Sequence, residues 1–460
     1  MSLLEQLGDD RQERYYLGID VGYREHVAAV ISLKTFLQGD DRWKRSRCVH
    51  FPTTSTGFKK LQRYLDSFST DPGLFRGICE PTGGYYGVTV YQYLLERAYP
   101  VMWVENTIVK DMRERILRRV PKTDELDARV MARIAYLHEA VGEEFALRPV
   151  VLTSPENGAL LALCRDHWRL NRLVTRARNQ FSQLMAVVFP ELKTFFTSSV
   201  STVAPVRLIA AYPTPVDLAA ASPEAVRAIL TKARVHHHAK RVVELQALAR
   251  QSSGLMPDRG RAWRLRWLTD FLLKNFEFLA SLQDEIVQRV TLRPAYALLE
   301  TIPYAGIVPL ATILGATGDV TRFRSYRQYV AFTGYFPDTR TSQTINRTRM
   351  SRRGRRDLKR ALFQIAAPLV WFDQGDNPYK QLYERKVSEG RAWYQAMPFV
   401  CAALARHIYH CLKFEEPYDV RRAFHGTSPS PGDEHTWLAL EVELEDRFET
   451  VDAHLDHLPG

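Results

Sequence analysis

The chain has 460 residues, of which 45% are hydrophobic and 11% aromatic, so it can bury the cores of two or three domains and is not largely disordered. Lys and Arg (63) outnumber Asp and Glu (52), and the formal charge of +11 favours a polyanionic partner, first of all nucleic acid. The five cysteines form no CxxC pair, which argues against a disulfide framework and a structural zinc site. The amino terminus lacks a signal-peptide pattern and no apolar run reaches the ~18 residues of a membrane helix, so we expect a cytoplasmic protein with no membrane partner.

The first predicted element is a β-hairpin, formed by the apolar runs Tyr15–Val21 and His26–Ser32 on either side of a polar turn. Asp20 lies near the end of the first strand. Because a carboxylate is a poor strand residue, it must either cap the turn or face a polar site. Gly18 and Gly22 leave the backbone around it uncovered, which would let an anionic ligand or a metal approach closely.

Strands and helices alternate after the hairpin. We predict strands at Cys48–Phe51, Phe75–Cys79 and Val101–Val104, with helices over residues 57–68 and at Tyr86–Leu95. Glu80 directly follows the second of these strands, at a strand end where open α/β sheets commonly place their sites. This order of elements is typical of an RNase H-like domain, in which acids from the first strand and a later strand meet in space.

Two further acids, Asp124 and Asp127, lie three residues apart at the start of a helix predicted to run to about Glu139, so both project from one face. The structural alternative is an aspartate N-cap followed by an acid that suits the helix dipole. Combined with Asp20 and Glu80, the pair predicts several carboxylates converging in one small domain. Such a group repels itself unless divalent cations bind, and two Mg²⁺ ions would also clamp a scissile phosphate. The four acids therefore predict a phosphodiester site that depends on Mg²⁺ or Mn²⁺.

The region from residue 151 to 290 is predicted to be mostly helical, with a long helix of coiled-coil character at Ala262–Val290. Four arginines recur at spacings of four, three and four along an earlier helix. This arginine stripe either follows a phosphate backbone or is the solvated face of a helical hairpin. Its members are Arg165, Arg169, Arg172 and Arg176. The run His236–His238 fans across different helix faces, so we do not expect a metal site there.

The carboxy-terminal region contains a segment, Ile302–Leu314, similar to the turn of a helix-hairpin-helix, whose backbone amides can hold a DNA phosphate. The most basic stretch of the chain follows. It predicts a nucleic-acid contact, because solvated surfaces normally intersperse both signs of charge. Its basic residues are Arg340, Arg347, Arg349, Arg352, Arg353, Arg355, Arg356, Lys359 and Arg360. Ser342 and Ser351 each carry a hydroxyl that could attack a phosphodiester in this setting, and composition does not choose between them.

Four motifs together resemble the DEDD transposases of the insertion-sequence "one-ten" group, which are also described as bridge-RNA-guided recombinases. The motifs occur in the family's order and spacing, and the resemblance extends to about residue 412. The motifs are Leu17–Asp20, Cys79–Gly83, Lys122–Ala128 and the block Ile302–Leu362. By this resemblance Ser342 matches the family's nucleophile, although the family's serine is usually followed by glycine and Gln343 follows here. The same resemblance assigns the RuvC-like metal tetrad to Asp20, Glu80, Asp124 and Asp127.

The resemblance also implies a domain organisation of the α/β + α class. Residues 1–150 would form an RNase H-like (RuvC-like) nuclease domain and residues 151–290 a helical, coiled-coil region. Residues 291–425 would form a mainly helical transposase domain with the catalytic serine. Residues 426–460 are an acidic tail that the resemblance does not cover.

The mechanism implied by the family is a composite site. The tetrad of one subunit and Ser342 of another would act on the same phosphate, through a phosphoserine intermediate, which requires a homo-oligomer, either a dimer or a tetramer. A structured non-coding guide (bridge) RNA would pair with double-stranded target and donor DNA. The protein would act in a prokaryotic cytoplasm, at the nucleoid. Lys122 and the arginine stripe are candidate nucleic-acid contacts.

Three other functions use parts of the same pattern. A RuvC-type junction nuclease would use the tetrad with water as the nucleophile and would need no serine. A non-catalytic nucleic-acid-binding protein would use the acids structurally. A sugar kinase of the actin-like fold also opens with Gly-Ile-Asp-Val-Gly, but a phosphate-binding threonine is expected where this chain has Tyr23 and Arg24.

Overall fold

A computed structural model describes residues 13–38, 41–81, 86–117, 122–196, 199–233, 236–256, 258–342, 345–350, 354–373, 375 and 377–419. The chain divides into two compact units, Met1–Leu152 and Thr153–Gly460. The first contains a mixed sheet and the second is mostly helical, which confirms the predicted α/β + α class at this level. The predicted domain boundaries stay predictions, and the acidic tail at 426–460 lies outside the described residues.

The first unit is built around a six-stranded sheet with the order β3-β2-β1-β4-β5-β6. Strand β1 pairs antiparallel with β2 and parallel with β4, which confirms the predicted hairpin, and the predicted strands follow one another along the chain as expected. The strands are β1 Tyr15–Val21, β2 His26–Ser32, β3 Cys48–Phe51, β4 Phe75–Cys79, β5 Val101–Trp103 and β6 Arg148–Pro149. The helices are α1 Leu33–Leu37, α2 Ser55–Asp66, α3 Tyr86–Glu96, α4 Asn106–Leu117 and α5 Asp124–Tyr136.

The side chains of β1 alternate between two cores on opposite faces of the sheet. Leu17 and Ile19 pack with residues of α2 and α3, whereas Tyr16 packs with residues of α4 and α5. Since successive side chains of a strand point to opposite faces, Gly18 and Asp20 lie on the same face as Tyr16. The strand therefore presents Asp20 on the side of the sheet that α5 covers.

Gly18 allows α5 to pack directly against β1. A Cβ atom at this position would lie 1.9 Å from the carbonyl oxygen of Ala128 and 2.6 Å from the backbone nitrogen of Ala132. Both are backbone atoms of a helix, so they cannot move aside as a flexible side chain would. The glycine thus fixes how closely the first turns of α5 approach the end of β1.

We expect Gly18→Ala to destabilise the first unit by about 3 kcal/mol or more, because the added methyl must displace the α5 backbone. The free energy of unfolding in urea measures this. The matched control is Gly158→Ala, at a helical position where an added Cβ meets nothing within 4 Å and where alanine is the better helix former. Equal unfolding midpoints for the two variants would contradict the close packing of α5 on β1.

The second unit is organised around two long helices, α6 (Pro155–Val188) and α13 (Arg259–Val290). The first half of α6 shares a core with the end of α13, and its second half shares another core with the start of α13, so the two helices run antiparallel. The prediction of a long helix ending at Val290 is confirmed. The intervening helices are α7 Leu192–Phe195, α8 Val203–Ala211, α9 Pro215–Ala220, α10 Pro223–Lys232, α11 His236–Ala239 and α12 Val242–Arg250.

The remainder of the second unit is helical apart from a two-stranded sheet. Its helices are α14 Pro294–Leu299, α15 Ile307–Thr317, α16 Tyr326–Thr333, α17 Arg356–Trp371, α18 Pro378–Ser388 and α19 Trp393–Phe414. The sheet is a β-hairpin of β7 (Pro337–Ser342) and β8 (Ile345–Met350), which the sequence patterns did not predict. No helix in the described part of the chain is both long and apolar enough to span a membrane.

Candidate active site

The four predicted acids lie at one end of the β1–β4 pair and at the start of α5. Ile19 of β1 is in register with Cys79 of β4, so the residues that follow them lie side by side, Asp20 still within β1 and Glu80 directly after the end of β4. Asp124 and Asp127 both occupy the first turn of α5. The pairing of β1 with β4 and the packing of α5 on the sheet therefore place the four acids together, although Asp20 and Asp124 are about 100 positions apart in sequence.

The packing of α5 explains why its first turn reaches Asp20. Ala128 and Ala132 lie over Gly18, so the earlier turn of α5 extends toward the carboxyl end of β1. Asp127 is buried, with 4% of its surface exposed. The helix begins with Thr123 as N-cap, whose hydroxyl accepts a hydrogen bond from the Leu126 backbone nitrogen at 3.2 Å. The alternative in which an aspartate caps this helix is therefore wrong.

The electrostatics of Asp20 confirm that the acids share one neighbourhood. Burial and then the charges of Asp124, Glu80 and Asp127, in that order, raise its pKa to about 7 against the opposing charge of Lys122. The pKa of Glu80 is also raised, by burial and by the charge of Asp127. Like charges crowded into a partly buried site produce such shifts. The carboxylates thus form one coupled group.

Two basic side chains and one side-chain amide contact these carboxylates. Arg113 of α4 donates a hydrogen bond to one carboxylate oxygen of Asp127, and Lys122 Nζ lies 4.0 Å from the other. Asn106 Nδ2 donates to Glu80 Oε2 at 2.9 Å. The sequence analysis predicted neither Arg113 nor Asn106. No local pattern distinguishes them, because each contacts an acid that lies on another element.

The donor chemistry of the group fits a hard divalent cation, since carboxylate oxygens are the ligands that Mg²⁺ and Mn²⁺ prefer. Among the described residues, however, no group of three or more His, Cys, Asp or Glu side chains is arranged to hold an ion.

We expect the stability of the metal-free protein to fall as the pH rises from about 4 to about 7. The folded-state pKa of Asp20 is about 7 and its ordinary value is 3.8, so the folded state binds this proton more tightly than the unfolded state in that window. The measurement is the melting temperature of the wild type minus that of Asp20→Asn, without metal, as a function of pH. This difference should become more negative up to about pH 7 and then level off. A flat difference would contradict the crowding of acids around Asp20.

The predicted nucleophile, Ser342, is the last residue of β7, where the backbone pairs with Ile345 of β8. Arg340 pairs in register with Arg347, and Arg349 pairs with Asp338. The structure describes only the backbone of this hairpin. Arg352, Arg353 and the alternative nucleophile Ser351 lie outside the described residues.

Part of the basic stretch has a structural role. Asp357 of α17 accepts hydrogen bonds from Arg165 at 2.8 Å and from Arg355 at 3.0 Å. Burial of Asp357 acts to raise its pKa, but these two arginines lower it to about 2. Arg360 lies over the ring of Trp168, 5.4 Å from its centroid.

The other basic candidates have different surroundings. Arg356 is exposed, while Lys359 is partly buried and its pKa is lowered by that burial. In the arginine stripe Arg165 forms an ion pair with Asp357, and the remaining three members are exposed to solvent, although Arg169 also pairs with Asp166 at 3.1 Å. These three are Arg169, Arg172 and Arg176.

Two family models match separate parts of the chain. A transposase model for the DEDD class of IS110 matches residues 17–190, which include the four acids. A second model, described as "Transposase IS116/IS110/IS902 family", matches residues 296–381, which include β7, β8 and Ser342. A similar protein is the "Insertion element IS110 uncharacterized 43.6 kDa protein" of Streptomyces coelicolor. It is 26% identical over 280 residues, which are 60% of this chain and 67% of that protein.

Proposed function

The chain belongs to the IS110 family of DEDD transposases, and from this premise we propose that it cleaves and exchanges DNA strands at a site built on Asp20, Glu80, Asp124 and Asp127. The observation that carries the proposal is the coupled carboxylate group, in which the charges of three acids raise the pKa of Asp20. Stable folds avoid such crowding, so its presence at a strand end favours a catalytic role. The first unit would then be RNase H-like.

The four acids would hold Mg²⁺ or Mn²⁺, and Asp127 would contribute the carboxylate oxygen that Arg113 does not engage. When bound, the ions would neutralise the phosphate charge that develops during strand cleavage. Arg113 would orient Asp127 through their ion pair, since a buried carboxylate without a cationic partner is strongly disfavoured. Asn106 would likewise orient Glu80 through its hydrogen bond.

Ser342 would be the nucleophile. Its hydroxyl oxygen would bond to the phosphorus of the scissile phosphate, the bond to one bridging DNA oxygen would break, and the serine proton would pass to that leaving oxygen. The phosphate then stays esterified to the serine, which preserves the energy of the bond for rejoining. Cations of the surrounding basic stretch would stabilise charge on the phosphate. A composite site requires a second subunit, so we propose a homo-oligomer.

A structured guide RNA would select the target and donor DNA by base pairing, so the protein would recognise shape and charge. Lys122 and the exposed members of the arginine stripe, Arg169, Arg172 and Arg176, are the proposed contacts to nucleic acid. This proposal rests on the positive charge of these side chains and on their exposure to solvent. Replacing those three arginines by glutamine is expected to weaken RNA binding, and unchanged RNA affinity would exclude the stripe.

The test is a strand-exchange assay with purified protein, Mg²⁺, DNA carrying both element ends, and RNA transcribed from the element's flank. We expect exchange only when the RNA is present, because base pairing would align the two DNA molecules. A RuvC-type junction nuclease would instead cut branched DNA with or without the RNA. Cleavage that does not depend on the RNA would therefore overturn the guided mechanism.

A further inference from the structure

The start of α13 exposes two tryptophans on one face of the helix. Trp263 is 69% exposed and Trp267 is 46% exposed. They lie one turn apart, opposite the buried face formed by Leu265, Leu268 and Leu272. Large aromatic side chains are usually buried at least in good part, and two exposed in adjacent turns mark a contact surface.

Arginines surround these two rings. Arg259, Arg264 and Arg266 are exposed, and none of the three forms an ion pair with a described acidic residue. Arg261 pairs with Asp258 at 3.3 Å, and Asp270 is the acid in the next turn. We call Arg259, Trp263, Arg264, Arg266 and Trp267 the tryptophan face. It combines flat apolar rings with uncompensated positive charge.

We infer that the tryptophan face binds unpaired DNA strands, with bases stacked on Trp263 and Trp267 and phosphates held by the arginines. Exposed aromatic rings beside cations are the arrangement that binds single strands, because every base has a face that can stack and every nucleotide carries a charge. Duplex DNA has its bases stacked inside the helix, so it cannot use the rings. A DNA transposase must open strands when it exchanges them, which supplies the single-stranded ligand.

A second copy of this chain fits the face less well. A two-fold symmetric contact would bring the arginines of both copies together, with Asp270 as the acid nearest to offset them. Such like-charge juxtaposition opposes association. Charge complementarity therefore favours a polyanion over a copy of the same surface.

The test measures binding of the full-length protein to a fluorescein-labelled oligothymidylate by fluorescence anisotropy. We expect the double variant Trp263→Ala, Trp267→Ala to bind at least about tenfold more weakly, since each stacked base contributes on that scale. Trp263→Phe with Trp267→Phe keeps the flat rings and should retain most of the affinity. The matched control is Phe278→Ala, which removes a ring of similar exposure, 61%, from the same helix, next to Glu277 and away from the arginines of the tryptophan face.

The contribution of the arginines of the tryptophan face is measured separately, by the salt dependence of binding. Arg264→Gln with Arg266→Gln should reduce the slope of log affinity against log salt by about 0.7 for each lost phosphate contact. Unchanged single-strand affinity of the tryptophan double variant would overturn the inference. So would an equal loss of duplex binding, a loss confined to a structured RNA, or a change in oligomeric state by light scattering. Melting temperatures within error of the wild type confirm that each variant is folded.

The inference rests on the family's DNA substrate and not on the serine or the metal. Loss of strand cleavage with intact tryptophan-dependent binding would therefore count against the proposed function alone. Loss of tryptophan-dependent binding with intact cleavage would count against the inference alone.

Discussion

Ser342→Ala is expected to abolish the covalent attachment of DNA to the protein. Alanine has no hydroxyl to esterify, and the phosphate cannot be held as a phosphoserine. The measurement is the fraction of labelled DNA that migrates with the protein on a denaturing gel and is released by protease. Because the change removes one oxygen atom from the end of a strand, we expect the fold and the affinity for DNA to be unchanged.

Ser351→Ala is the control for this prediction, because Ser351 has an equally basic sequence setting. We expect it to retain the covalent product. Attachment lost in Ser351→Ala and retained in Ser342→Ala would move the nucleophile to Ser351. Strand cleavage that persists in Ser342→Ala, with no covalent product in the wild type, would instead support the water-dependent junction nuclease.

Asp20→Asn is expected to lower the rate of strand cleavage by about a thousandfold or more. The amide cannot carry the negative charge that would hold a divalent cation beside the scissile phosphate, and such ions supply several kcal/mol of transition-state stabilisation. The covalent product should disappear as well, because the serine step would use the same site. The rate is measured on labelled element-end DNA in Mg²⁺, and chelation of the metal should have the same effect on the wild type.

Glu125→Gln is the matched control for the acid tetrad. Glu125 lies between Asp124 and Asp127, but its carboxylate accepts hydrogen bonds from His50 at 3.1 Å and Arg129 at 3.2 Å. We expect this variant to cleave DNA at a rate close to that of the wild type. If Glu125→Gln reduced the cleavage rate as much as Asp20→Asn, removal of any negative charge in this region would be harmful. The loss in Asp20→Asn would then not support a catalytic role for the four acids in particular.

Much of the first unit was determined by local sequence. The apolar runs of the first hairpin, the turn after Val21 and the periodic helices predicted the order of elements along the chain that the structure contains. The same patterns predicted Asp20 near the end of the first strand, Glu80 directly after a later strand and two acids at the start of α5. These signals succeed because the periodicity of side chains in a strand or a helix is a property of the local backbone.

The tertiary structure alone decided how charged residues are paired. Arg113 is 14 positions from Asp127, and Arg165 is 192 positions from Asp357, yet each forms a close ion pair. The arginine stripe thus includes an ion pair, Arg165 with Asp357, that the spacing of its members along the helix did not indicate.

The sequence by itself thus indicated most elements of the first unit and the family, through motifs whose spacing is fixed along the chain, but not the hairpin of β7 and β8. Only the folded structure decided that Asp20 lies among other acids, that Arg165 forms an ion pair with Asp357, and that Trp263 and Trp267 are exposed. The physical reason is that burial and the distance between charges depend on packing between distant segments, and pKa values and contact surfaces follow from both.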